Sequence, residues 1–334
     1  MTAVDIENLV AGPAAEPLAP IPTPVDWVRA FPHAEETPEG CVVVDDVVSD
    51  DFLYSTYITE ETYVTRSSDN GGCALRVTIY TPFHDDGNIP DGRPEQGWPV
   101  IVFMRGAAFH RPDPSSFNSL YIRLSEKGYV VAVPEYRPSE VAPFPAQMQD
   151  AKTAVRYVRM NAARLGVDPD RIAIWGDSAG GHTALMAGFT GDSEPDTPEW
   201  SEVSAKVNCI VDWYGPTDFA MMNFYPSSQD HSPAECPEGM EIGGVNVLEH
   251  RELSRLASPM TYLSADRPTP PTLIMHGSRD LLVPFNQSCR LYATMKTLGK
   301  DVTFYKLNDA SHAAYGFRSD KAIGLVLDWL KRKM

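Results

Sequence analysis

Residues 171–186 read RIAIWGDSAGGHTALM, and the order of residue types in this stretch decides the fold. The apolar run at 172–175 predicts a buried strand, Gly176-Asp177-Ser178-Ala179-Gly180 a tight turn, and the remainder a helix starting at the serine. A G-x-S-x-G turn exposes its serine hydroxyl only when a strand feeds it and a helix leaves it. Gly176 and Gly180 let strand and helix approach closely where a Cβ would clash, and Gly181 clears further room. Ser178 then opens a helix, where unpaired N–H groups favour developing negative charge. The chemistry this predicts is a nucleophilic serine. The plainer alternative is a glycine-rich turn whose serine only caps the helix.

Outward from this stretch, the chain alternates strands and helices. Upstream, residues 62–81 predict an antiparallel hairpin broken by Ser67-Ser68-Asp69-Asn70-Gly71-Gly72. A polar loop, 84–97, leads to the apolar strand 100–104, followed by a helix at 115–127, a strand at 130–134 and a long helix at 145–165. Along that helix Asp150, Ala154, Tyr157, Val158 and Ala162 recur at helical spacing. Downstream come a strand at 209–214, an irregular cap insertion at 216–264, a strand at 272–276, a helix at 285–298, a strand at 302–307 and a closing helix at 320–331. Such alternation predicts an α/β fold: a mostly parallel central sheet with helices on both faces, joined by right-handed crossovers. Ligands on such sheets bind beyond the carboxyl ends of the strands. Residues 1–50, Pro-rich with anchors such as Trp27 and Phe31, are expected to form an arm packed on the domain at 51–334.

A serine hydroxyl is a poor nucleophile near neutral pH and needs a base, together with a group that fixes the base's tautomer. His312 follows the strand 302–307 in a loop of small residues, which makes it the best-placed histidine. His276 ends a buried strand and reads as a core residue, and His182 reads as a packing residue on the helix after Ser178. His110, His231 and His250 have no evident reach to the serine. Asp280, in the loop after 272–276, is the expected acid, with Asp218 as its competitor one strand earlier. The order Ser178, Asp280, His312 is that of an α/β-hydrolase. An oxyanion hole requires backbone N–H donors. Ala179 supplies one by position, and Ala107 or Ala108, in the small-residue loop after 100–104, the other. Phe109, Met221, Met222 and Phe224 are candidates for a substrate pocket, although the soft side chains at 221–225 read equally as the cap's own core.

Several motifs occur in a fixed order: Glu135-Tyr136-Arg137; Pro145-Ala146-Gln147 with Asp150; Asp168-Pro169-Asp170-Arg171-Ile172; Gly176 to Gly181; Trp213-Tyr214-Gly215-Pro216-Thr217-Asp218; His276-Gly277 with Asp280; and His312. From Leu75 to Lys331 the chain resembles the α/β-hydrolase esterases and lipases of the hormone-sensitive-lipase type, and the neighbouring bacterial acetyl- and feruloyl-esterase-like group. The resemblance implies a carboxylester hydrolase working through an acyl-enzyme on Ser178, with Asp280 and His312 completing the triad. Those families usually carry His-Gly-Gly-Gly or His-Gly-Gly-Ala where this chain has Arg105-Gly106-Ala107-Ala108. An alanine forced to positive φ at 107 is expected to be strained by about 1 kcal/mol or more. Arg105 is expected to brace the loop through carbonyls. A sharper expectation has Arg105, with His110 and Arg111, drawing an anionic substrate group.

The main functional expectation is therefore a serine esterase for short- to medium-chain acyl esters. The alternatives on the same fold are an amide-bond hydrolase, peptidase or arylformamidase-like, and a non-catalytic binding module. The 334 residues carry a formal net charge of −17, which argues against nucleic acid or an anionic membrane surface as partner. Five cysteines (Cys41, Cys73, Cys209, Cys236, Cys289) lack any C-x-x-C pair, which predicts free thiols and no zinc site. No H-E-x-x-H, Walker or G-x-G-x-x-G motif points to a metal or cofactor. Without a signal-like start or an apolar span, a cytoplasmic location is the default expectation. Exposed sheet edges or the arm leave a homodimer open.

Overall fold

The computed structural model describes residues 54–66, 73–83 and 93–334. The expected arm at 1–50, the turn at 67–72 and most of the loop 84–97 lie outside the described residues. The strands are β1 (Ser55–Arg66), β2 (Cys73–Phe83), β3 (Trp98–Met104), β4 (Val130–Pro134), β5 (Val167–Asp177), β6 (Cys209–Trp213), β7 (Thr272–Gly277) and β8 (Val302–Leu307). They form one 8-stranded sheet in the order β1-β2-β4-β3-β5-β6-β7-β8. β1 and β2 pair antiparallel, as do β2 and β4, and the other neighbours are parallel. This is the α/β-hydrolase fold.

β3 and β4 are apolar at every position because both of their faces are covered. Along β3, Val100, Val102 and Met104 face one core, which takes Val155 and Val158 from α2 (Ala146–Met160) and Leu185 from α4 (Ala179–Thr190). Ile101 and Phe103 face the other, with Leu120 and Leu124 from α1 (Asn118–Ser125) and Trp329 from α8 (Asp320–Lys333). A period of two along the strand thus sorts one continuous apolar run into two cores.

Two expected helices differ in detail. The helix at 115–127 begins as a 3₁₀ turn, Pro114–Phe117, capped by the Asp113 carboxylate on the Ser115 N–H, and only then becomes α1. The long helix at 145–165 breaks at Asn161, which leaves helical geometry (φ −96°, ψ 15°), and resumes as α3 (Ala162–Leu165). Asn161 Nδ2 donates to the Tyr157 carbonyl at 2.9 Å beside the Asn161 backbone N–H at 3.0 Å, so that carbonyl takes two donors where the helix breaks.

The insertion after β6 holds a 3₁₀ turn (Phe219–Phe224), α5 (Pro237–Glu241), α6 (Arg251–Leu256) and a second 3₁₀ turn (Pro259–Tyr262). Phe219, Ile242, Val247 and Ala257 form a small core of their own with Phe109 and Ala179. The cap is therefore seated on the loop after β3, through Phe109, and on the start of α4. After β7 the chain returns to the alternation with α7 (Asn286–Thr297), β8 and α8. Among the described residues, no helix is long and apolar enough to cross a membrane.

Candidate active site

β5 ends at Asp177 and α4 begins at Ala179, so Ser178 is the whole turn between them, with φ 53° and ψ −127°. An L-residue in this region is strained by roughly 1–3 kcal/mol. Its N–H donates to the Trp213 carbonyl at 2.8 Å, and its carbonyl accepts from His182 N at 3.0 Å, which hold the strained turn in place. The flanking glycines answer to space rather than to φ. A Cβ on Gly176 would overlap the Gly180 carbonyl, and one on Gly180 the Met104 carbonyl. The Ser178 side chain makes no cap hydrogen bond to its own helix.

That side chain faces His312 instead. Ser178 Oγ lies 3.0 Å from His312 Nε2, and His312 Nδ1 lies 2.8 Å from Asp280 Oδ2. With the carboxylate as acceptor, Nδ1 carries the proton and Nε2 is left to accept from the serine hydroxyl. Asp218, the competing acid, is elsewhere: Arg290 Nη2 donates to it at 2.8 Å, and Gln287 Oε1 accepts from its N–H. It braces the loop that carries it.

Burial pushes the Asp280 carboxyl up, but hydrogen bonds from His276 and His312, and the charge on the histidines when protonated, bring it down to about 2. A carboxyl held below its unfolded value of about 4 stabilises the fold above that pH and loses the contribution as pH falls toward 2. The shift corresponds to about 2 kcal/mol. Asp280→Asn is therefore expected to be less stable than wild type at pH 7, with the gap in urea midpoint narrowing below about pH 4. A gap that is constant with pH would contradict this.

A cavity of about 270 Å³ opens on Ser178, bordered by Ala107, Ala108, Phe109, Ala179 and His312, with Leu282 and Val283 from the Asp280 loop. Pro216, Gln229, Pro237 and Glu238 line its cap side. Of the expected pocket residues only Phe109 borders it. Met222 is fully buried away from the cavity, Met221 does not line it, and Phe224 is 63% exposed. The chain after Asp218 turns into a 3₁₀ segment whose Phe219 enters the cap core, carrying 221–224 past the cavity mouth. The expected strain at Ala107 is also displaced: the positive φ values fall on Ala108 (51°) and Phe109 (62°). Ala313, directly after His312, has φ 53° and borders the same cavity. Backbone strain thus collects around this space, as it does where a site's geometry is over-determined.

Arg105 braces the loop, as its Nη1 donates to the Gly106 carbonyl at 2.8 Å and pairs with Asp177. Asp177 Oδ1 also accepts from Gly106 N at 2.8 Å, so the residue before Ser178 ties the loop after β3 to the turn between β5 and α4. Stacked 3.9 Å over Phe117 and neutralised by Asp177, Arg105 does not offer a free charge for an anionic substrate. His110 is likewise paired, with Glu140. Two further supports had no signature of their own in the sequence: Tyr136 Oη donates to the Arg105 carbonyl at 2.7 Å, and Ser139 N to the Phe109 carbonyl at 2.9 Å. For Asp177 the sequence holds a signal, an acid inside the G-x-S-x-G turn, but not its partners, which the fold supplies in Arg105 and Gly106.

The remaining histidines sort by burial. His182 is 1% exposed, stacks on Phe219 and sits 2.6 Å from the Ala257 carbonyl; burial lowers it to about 4. His231 lies between Glu238 Oε2 and the Leu282 carbonyl, each 3.0 Å away, and so joins the cap to the Asp280 loop. Among the described residues no group of three or more His, Cys, Asp or Glu is placed to hold a metal ion. Cys73, Cys209, Cys236 and Cys289 are free thiols.

Known proteins are similar to this chain in sequence and in fold. Esterase LipC of Mycobacterium tuberculosis is 29% identical over 229 residues, which cover 66% of this chain and 54% of that protein. A truncated carbohydrate esterase from gut microbiota superposes with a TM-score of 0.71 at 27% identity, covering 85% of this chain and 98% of that one. The thermophilic esterase Est2 of Thermogutta terrifontis, solved with propionate bound, does so with a TM-score of 0.63 at 25% identity, covering 82% and 93%. The chain spans about half the length of the curated relatives it matches. The BD-FAE family model matches residues 88–295, most of the sheet and the whole of the cap, and the chain belongs to that family.

Proposed function

We propose that the protein is a serine carboxylester hydrolase acting on short- to medium-chain acyl esters. The observation that carries this reading is the hydrogen-bonded line from Ser178 Oγ through His312 to Asp280. In the first step Ser178 Oγ attacks the acyl carbonyl while its proton passes to His312 Nε2, and Asp280 stabilises the resulting imidazolium. The oxyanion of the tetrahedral intermediate faces backbone N–H groups of Ala179 and of Ala107 or Ala108, the residues that border the cavity beside the serine. Ala179 opens α4, so its N–H has no intrahelical acceptor. Collapse expels the alcohol, which takes the proton from His312. Water then gives a proton to His312 and attacks the acyl-enzyme, and His312 returns that proton to Ser178 Oγ as the acid leaves.

The cavity supports a small substrate. Its volume of about 270 Å³ is at the lower bound for ligand pockets, and Phe109, Leu282 and Val283 supply apolar wall for an acyl chain. Similarity to esterases supports the ester bond, and the propionate bound in Est2 supports a short acyl group. The test is hydrolysis of nitrophenyl esters from acetate to decanoate beside the matching nitroanilides. Activity is expected to peak at the short esters. A maximum at decanoate would contradict the acyl size, and faster cleavage of the anilides would make the protein an amidase.

A further inference from the structure

His276 closes β7 with no solvent exposure, and both of its ring nitrogens are engaged. Nε2 lies 3.1 Å from Asp280 Oδ2 and 3.1 Å from the Val283 carbonyl. Nδ1 lies 2.7 Å from Ser288 Oγ on α7. Facing two acceptors, Nε2 carries a proton. The Ser288 hydroxyl is then the donor to Nδ1, which makes the ring the neutral Nε2–H tautomer, as assigned from the network. Asp280 Oδ2 therefore accepts from His276 and His312 together, while Oδ1 accepts from the N–H groups of Leu282 (2.9 Å) and Val283 (3.0 Å). The acid has a donor on each side of both oxygens.

We propose that His276 is a positioning residue for the reaction, with Ser288 setting its tautomer, so that the working line is Ser288–His276–Asp280–His312–Ser178. The inference rests on the reading of Ser178 as nucleophile and deepens it. His276 has two effects on Asp280. It fixes the plane of the carboxylate, and by donating to the oxygen that His312 uses, it draws off part of the charge that would otherwise stabilise the His312 imidazolium. Without that N–H, the charge on Oδ2 is directed at His312 alone. The acid limb of kcat/KM, where the base must lose its proton, then moves to higher pH.

The other groups around the line do not change in the experiment. Tyr214, from the end of β6, packs its ring edgewise on both His276 and His312, and burial holds its hydroxyl well above its usual range. Phe285, just before α7, covers the other side of His276, with the Lys306 ammonium 5.7 Å from the Phe285 ring. Asp177 acts on His312 through space and is paired with Arg105.

The test uses the full chain as wild type, His276→Leu, His276→Gln, Ser288→Ala and Ser178→Ala. kcat and KM for nitrophenyl acetate are measured from about pH 5 to 9, with folded protein checked by circular dichroism. His276→Leu is expected to lose about 10- to 100-fold in kcat with KM little changed, the loss of one hydrogen bond to a charged group. Its acid limb is expected to rise by about one pH unit or less. Gln places an amide N–H near the position of Nε2, so His276→Gln should recover most of the rate and return the limb toward wild type. Ser288→Ala should move the limb in the same direction by less, and it carries the test if His276→Leu does not fold. An unmoved or lowered limb in the folded variants, or a Gln variant no better than Leu, overturns the proposal. If Ser178→Ala keeps wild-type activity, the nucleophile reading itself fails. If Ser178→Ala is inactive while the limb stays put, only the role of His276 fails.

Discussion

Ser178→Ala is expected to lower kcat/KM for short nitrophenyl esters by about 10⁴-fold or more, leaving only what binding and the oxyanion donors provide. The Ser178 hydroxyl has His312 Nε2 as its hydrogen-bond partner and does not cap α4, so its removal takes away the proposed nucleophile and little else. Alanine meets the same backbone strain at φ 53°, and the folded state is expected to keep its stability to within about 0.5 kcal/mol. His312→Ala should cost a similar factor, and the double variant hardly more than either single one, because residues that act as a unit are strongly non-additive. The measurement is kcat/KM for the three variants beside their urea midpoints. Activity within tenfold of wild type in a folded Ser178→Ala would remove the acyl-enzyme from the mechanism.

Gly180→Ala is expected to have the largest effect on stability of any single methyl group added at the elbow. Its Cβ would fall inside the Met104 carbonyl oxygen and stand 2.9 Å from the Arg105 carbonyl carbon, both of them backbone atoms that no rotamer change can move. Either α4 tilts away from the sheet or β3 shifts and takes the oxyanion loop with it. Overpacking of this kind costs about 3 kcal/mol or more, a fall in Tm of roughly 4 °C or more for a chain of this size. Residual folded protein should also lose kcat, since Met104 leads directly into the loop that carries Ala107 and Ala108. Gly324→Ala is the control: nothing lies within 4 Å of its added Cβ on α8, and a helical Gly→Ala change there is expected to stabilise by about 0.5–1 kcal/mol. Equal Tm values for Gly180→Ala and wild type would show that the close approach of elbow and β3 has room to relax.

The alternation of strands and helices, the two-faced helical layers and the positions of Ser178, Asp280 and His312 at strand ends were legible because each depends on local pattern. Continuous apolar runs identify strands covered on both faces, and the alternation with helices leaves few topologies for a parallel sheet. A loop leaving the carboxyl end of a central strand lies near the site whatever its detailed path, which is why His312 and Asp280 come within 2.8 Å of each other from separate loops. Met221, Met222 and Phe224 were misplaced for the complementary reason. They lie in the cap, an irregular segment without periodicity, and whether a side chain there faces a cavity or a small core depends on packing against Phe109, Ile242 and Val247. The helix break at Asn161 was not legible because it changes one residue's backbone angles and leaves the helical spacing of its neighbours intact.

By itself, then, the sequence determined at which ends of which strands the candidate groups stand: a serine in a tight strand–helix turn, an acid and a histidine in loops after later strands, and a sheet to hold them. Only the tertiary structure decided the second layer. That layer includes Asp177 between Arg105 and Gly106, Tyr136 and Ser139 bonded to the loop after β3, and His276 on Asp280. The physical reason is range. Elbow, strand and helix depend on residues a few positions apart, whereas each of these contacts joins chain segments that only the folded sheet brings together, apart from His276 and Asp280. Those two are four residues apart, yet the identity of the hydrogen-bond partner on the far side of the ring, Ser288 of α7, is set by packing.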